Sequence, residues 1–303
     1  MRILFAVFIL AATSLAWVAP AQAKVNVFAC EPEWASLSEA LGGDKVSVYQ
    51  ATSPRQDPHR VEARPSLIAR MRSADLMVCN GAELEVAWLP VLLKASGNRS
   101  VQPGQPGHFL AADQVDRLEV PAEVDRAMGD VHPYGNPHVH LDPRRIAKIG
   151  AALSQRLAQI DPGSADYYAA RGRDFQARWR EAIARWEKEA AALKGLAVVT
   201  YHRDSVYLAD WLGLKLAMTI EPKPGIPPSA GHLAELLTRL KADPADLILR
   251  MAYNEPKAPQ WLAERTGVPI AVLPFTVGGT REAGDLFGLF DDSIARLRKA
   301  AGR

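Results

Sequence analysis

Residues 162–193 read PGSADYYAARGRDFQARWREAIARWEKEAAAL. Within them Tyr168, Phe175, Trp179, Ala182, Ile183, Trp186, Ala190 and Leu193 recur at spacings of three, four and seven, with charged residues between. That period lays one apolar stripe along a single helix. Pro162 stands where a first turn can begin, since its missing N–H would have no partner there anyway. At about 1.5 Å per residue, roughly 30 residues span about 45 Å, enough to run along the side of two lobes. Gly172 in its interior costs about 1 kcal/mol relative to Ala. A dimeric coiled-coil seam is the weaker reading, because the stripe places bulky Trp where coiled coils prefer Leu or Ile.

On both sides of this helix, short β-rich runs alternate with amphipathic ones. Before it come Val25–Phe28, Trp34–Leu41, Val46–Ala51, Ser66–Met71 and Leu76–Val78; after it come Ala197–Tyr201, Val206–Leu212, Leu216–Ile220, His232–Leu240, Leu247–Arg250, Ala258–Arg265 and Ile270–Leu273, then a helix from about Leu286. Strand-helix alternation specifies parallel sheets. The expected fold is therefore α/β, with two lobes, each a parallel sheet flanked by helices, joined by one long α-helix. The stretch 97–137, rich in Pro, Gly and Asp, reads mainly as loop with short elements. The expected divisions are 24–161, 162–194 and 195–303, and two lobes imply a cleft.

At the N-terminus Arg2 precedes an apolar run from Ile3 to Val18, then Ala21-Gln22-Ala23. The run is short for a bilayer span and ends in small residues, so residues 1–23 read as a cleavable signal peptide and the mature chain as a periplasmic protein. The net charge of +2 offers no basic excess for nucleic acid. Cys30 and Cys79 each close a strand-like run. In an oxidising compartment they are either a disulfide or two buried thiols, and without CxxC spacing they make a poor zinc site.

Of seven histidines, three stand in settings that suggest ligands. His59 follows the run Val46–Ala51, His202 directly follows Ala197–Tyr201, and His138 lies just before a helix that Pro143 can start. Ligands in open parallel sheets sit beyond the carboxyl ends of strands. Zn²⁺ takes neutral imidazole nitrogens at about 2.0–2.1 Å and needs only that the fold gather them.

The motifs around these histidines carry a resemblance. Asp57-Pro58-His59 with Arg64-Pro65-Ser66, then Asn80-Gly81 with Glu85, then Pro137-His138-Val139-His140-Leu141-Asp142-Pro143, then Tyr201-His202-Arg203-Asp204-Ser205 occur in order. Across essentially the whole mature length the chain resembles the zinc and manganese class of periplasmic substrate-binding proteins of ABC transporters. The resemblance implies two α/β lobes on a long helix, an ion buried between them on His59, His138 and His202, and delivery to a membrane permease. A monomer is expected, with metal arriving free or from a periplasmic metallochaperone.

Two departures stand out. His140 occupies a position where the family usually has Trp, and is expected to support the site or lie at the surface rather than to bind metal. The family's fourth ligand, an Asp after the last strand, is missing from Leu273-Pro274-Phe275-Thr276-Val277-Gly278-Gly279. Glu255, beyond the run Leu247–Arg250, is the first candidate to replace it; a water or Asp285 are the others. Imidazole donors with at most one carboxylate favour Zn²⁺ over Mn²⁺ as the transported ion. His132, with Asp130 near it, is all that stands where many relatives carry a His-rich loop, so no substantial metal-collecting loop is expected; His108 and His232 read as structural or surface residues.

No enzyme is expected. A zinc-dependent hydrolase is the alternative if a coordination position stays open, yet no HExxH motif occurs. A siderophore or haem binder, or an adhesin, on the same scaffold are the others.

Overall fold

The computed structural model describes residues 23–123, 129 and 132–303; the expected signal peptide up to residue 22, and Asp130, lie outside them. Strands β1 (Val25–Ala29), β2 (Val46–Gln50), β3 (Leu76–Cys79) and β4 (His108–Leu110) form one sheet in the order β2-β1-β3-β4. Strands β5 (Ala197–Thr200), β6 (Lys215–Thr219), β7 (Leu247–Met251) and β8 (Ile270–Leu273) form the second, in the order β6-β5-β7-β8. Every pairing in both is parallel. The two lobes thus repeat one plan, and each has its switch of strand order at its central pair. β4 comes from the Pro- and Gly-rich stretch and is one of its short elements.

In the first lobe α1 (Pro32–Gly42), α2 (Pro65–Arg72), α3 (Leu89–Ser96) and α4 (Pro143–Ile160) flank the sheet. The linking helix is α5 (Ala165–Ala190), entered through a 3-10 turn at Pro162–Ser164 and left through another at Ala191–Leu193. In the second lobe the helices are α6 (Val206–Leu212), α7 (Ala230–Ala242), α8 (Lys257–Thr266) and α9 (Leu286–Ala300).

The stripe on α5 is buried as its period demands: Tyr168, Phe175, Trp179 and Trp186 have no exposed surface. Trp179 stacks on Phe175 at 5.2 Å and meets Trp186 edge-on at 5.1 Å, while Phe287 and Phe290 of α9 pack against both tryptophans. Trp179 donates its indole N–H to the Pro143 carbonyl at 2.7 Å, so the ring is buried without an unmet donor. Gly172 has a packing reason. A Cβ there would stand 2.4 Å from Ser154 Oγ, so the missing side chain lets α4 and α5 approach closely.

One hydrophobic core, from Val25 to Leu297, runs through both lobes and the α5 stripe. Packing of that extent opposes hinge motion. Cys30 and Cys79 form a disulfide across the adjacent strands β1 and β3. Closing a loop of 49 residues stabilises the fold by about 4 kcal/mol through the entropy of the unfolded chain.

Candidate metal centre

The first histidine is placed by its own motif. Asp57 caps the short turn Pro58–Arg60, its Oδ1 accepting both the His59 backbone N–H at 3.0 Å and the ring Nδ1–H at 2.9 Å. Trp88 pins the same turn by donating to the Pro58 carbonyl at 3.1 Å. With Nδ1 engaged, Nε2 of His59 faces the cleft.

His138 is placed from a distance. The Glu85 carboxylate accepts the backbone N–H groups of Asn80 (2.6 Å) and Gly81 (3.0 Å), bracing a turn in which Ala82 and Glu83 are left-handed at φ of 51° and 64°. Such conformations cost non-glycine residues roughly 1–2 kcal/mol each. From that braced turn Asn80 Nδ2 donates to the Pro137 carbonyl at 2.7 Å, and Asn136 Oδ1 accepts the His138 N–H at 3.1 Å. The Asn-Gly…Glu motif therefore acts as a bracket for the next motif. Glu85 is itself fully buried beside Glu31, and burial lifts its pKa to about 7.

His202 follows β5, and its Nδ1 meets Glu221 Oε2 at 2.6 Å beyond the end of β6. Burial disfavours its imidazolium, but the bond to Glu221 and the charges of Asp204, Glu221 and Asp57 outweigh it, and the pKa is held above the ordinary value. His138 behaves oppositely: burial, reinforced by the neighbouring histidines, pushes its pKa well down.

The structure brings these three side chains together. One ring nitrogen from each lies within 4.8 Å of the other two. Ring centroids are 5.5 Å (His59–His138), 5.7 Å (His138–His202) and 5.9 Å (His59–His202), close to an equilateral triangle spanning both lobes. Both nitrogens of His138 are buried without a hydrogen-bond partner. A buried imidazole left unsatisfied is costly unless something else takes its lone pair. Two orienting carboxylates, on His59 and His202, fix which nitrogens face inward, as outer partners do around metal-bound histidines.

Glu255 is not one of the converging donors; it is exposed and lines a neighbouring recess with His59, His202 and Glu221. Asp285 caps α9 by accepting the Gly288 N–H at 2.7 Å. His140 is fully buried on the 3-10 turn Val139–Leu141, with Nε2 2.9 Å from the Phe275 carbonyl and Nδ1 3.4 Å from Glu33. The surface alternative for it does not hold. His108 is tied to the Val101 carbonyl at 2.8 Å, and His232 lies on α7. His132 was missed: its Nε2 stands 3.2 Å from Nε2 of His59. It bounds a cavity of about 290 Å³ together with His138, His202, Glu119 and Arg203. A second group of ligand-type residues, Cys30, Cys79 and Glu85, has both sulfurs in the disulfide.

The lobes are also sewn together around this point. Arg60 donates to the Gly225 carbonyl at 3.1 Å, Asn136 to the Arg203 carbonyl at 2.8 Å, and Tyr207 to the Asn136 carbonyl at 2.6 Å, while Arg203 pairs with Glu119.

Two like-built lobes gather three imidazoles between them. The family model described as zinc-uptake complex component A, periplasmic, matches residues 27–300, and the chain belongs to that family, whose members are substrate-binding proteins of metal ABC importers rather than enzymes. It is 26% identical over 246 residues to the high-affinity zinc uptake system protein ZnuA of Bacillus subtilis, covering 80% of this chain and 75% of that one. It is 23% identical to the iron ABC transporter substrate-binding lipoprotein MtsA of Streptococcus pyogenes, covering 89% and 86%. Among solved structures, a zinc-bound ZnuA deletion mutant superposes with a TM-score of 0.74 at 22% identity over 92% of this chain and 97% of that one. A manganese-bound periplasmic metal-binding protein from Candidatus Liberibacter asiaticus gives 0.73 at 18%, over 91% and 100%. These neighbours share the fold. Among the described residues no helix is long and apolar enough to cross a membrane.

Proposed function

We propose that the chain captures Zn²⁺ in the periplasm, after removal of a signal peptide, and hands it to the membrane permease of an ABC importer. His59, His138 and His202 hold the ion between lobes divided at 24–161 and 195–303 by the helix region 162–194, and the protein acts as a monomer. The observation that carries this reading is the gathering of three imidazoles around buried, unpartnered His138. Nitrogen donors suit zinc, whereas Mn²⁺ is better served by oxygen. The zinc named for ZnuA of Bacillus subtilis agrees with that chemistry.

Competitive zinc titration, with metal counted per chain, tests it. One tight zinc per wild-type chain is expected, weakened roughly a thousandfold or more in His138→Ala, because the variant loses the innermost donor. Tight manganese binding with weak zinc binding by the wild type would refute it.

A further inference from the structure

Resting on the reading above, we propose that His132 is the fourth donor to the transported ion, closing a shell of four imidazoles. His59 and His132 face each other through their Nε2 atoms at 3.2 Å, with ring centroids 5.2 Å apart. Asp57 accepts the Nδ1 proton of His59, so the Nε2 of that ring presents a bare lone pair. Two nitrogens each about 2.0–2.1 Å from a tetrahedral zinc stand roughly 3.3–3.4 Å apart. The observed separation is close to that edge.

Among the described residues His132 lies outside the group of His59, His138 and His202, whose nitrogens all fall within 4.8 Å of one another, so closing the shell requires its ring to move inward when the ion binds. His132 is tied to the Ala82 backbone, on the same braced turn whose Asn80 holds the segment of His138. It borders the cavity that His138 and His202 also line. Glu255 lines the recess on another side and is exposed. A fourth imidazole would fill the position that otherwise falls to water and would strengthen the preference for zinc over oxygen-seeking cations. The competing account of the 3.2 Å contact is a hydrogen bond between two rings, which gives the metal shell only three histidines.

The test combines competitive zinc titration with visible absorption of the Co²⁺-loaded protein, for wild type, His132→Ala, His132→Gln, Glu255→Gln and His138→Ala. Circular dichroism establishes that each variant is folded. Both His132 variants are expected to bind one zinc per chain about ten- to a hundredfold more weakly, at least the loss that outer partners of a metal ligand already cause. Their cobalt bands should change in position and intensity, while Glu255→Gln keeps both the affinity and the spectrum of the wild type. If the His132 variants bind within about threefold of wild type with an unchanged cobalt spectrum, while His138→Ala still loses the metal, the fourth-donor assignment is overturned and the three-histidine site stands. Wild-type behaviour in His138→Ala as well would overturn the site itself.

Discussion

On one flank of the three histidines Phe275 lies edge-on to His138 at 5.5 Å and to His140 at 4.9 Å. Behind it Thr276 donates to Glu33, whose other oxygen faces His140, and none of these side chains reaches solvent to any extent. Elsewhere around the triad His132, Glu119 and Arg203 border an open cavity. The closed flank holds the segment after β8, Leu273-Pro274-Phe275-Thr276-Val277-Gly278-Gly279, which contains no carboxylate. No further donor has room there, because the space is filled by a ring and a buried polar network. The open flank has both the room and a nitrogen. The comparison teaches that, around three gathered imidazoles, room for a further donor exists only where the packing is open.

The largest expected effect on this comparison comes from the closed flank. Phe275→Ala should destabilise the metal-free protein by about 3–5 kcal/mol, the cost of emptying a buried aromatic site, as read by urea unfolding. Zinc affinity should change far less than in His138→Ala. A loss of affinity as large as that of His138→Ala would mean that Phe275 sets the geometry of the site and that the flanks are not separable.

A smaller effect sharpens the other half. Glu221→Gln removes the charge that orients His202 and should weaken zinc binding about ten- to a hundredfold at pH 8. The same group governs the pH response. His202 carries a pKa above the usual histidine value, so its protonated fraction grows as pH falls through neutrality, and binding requires the neutral ring. Wild-type affinity should fall by up to about tenfold per pH unit in that range. Without Glu221 the ring protonates only at lower pH, so the two affinity curves should converge as pH falls from 8 to 6. Parallel curves would place the titrating group elsewhere.

Much of this was legible in the chain itself. The α5 stripe and the strand-helix alternation specify both sheets, because period 3.6 and short β-rich runs are local signals. His59 and its partner Asp57 are written two residues apart. Glu221 and His202 are not: they meet only because β5 and β6 are neighbours. The Cys30–Cys79 pairing was open for the same reason, and β1 beside β3 decides it. His132 reads only as a lone histidine where a metal-collecting loop is not expected, since nothing local distinguishes a histidine in irregular chain from a solvated one. Its position depends on the left-handed turn at Ala82, a feature that a non-glycine sequence conceals. Glu255 was attractive because it lies beyond a strand end, but position along a strand does not say which way a side chain faces.

The most direct measurement of the central claim is X-ray absorption at the zinc edge of the protein loaded with one equivalent of metal. The account predicts a shell of imidazole nitrogens at about 2.0–2.1 Å with the outer-ring scattering of at least three histidines. A shell dominated by oxygen donors in six-fold geometry, or a sulfur distance near 2.3 Å, would contradict it.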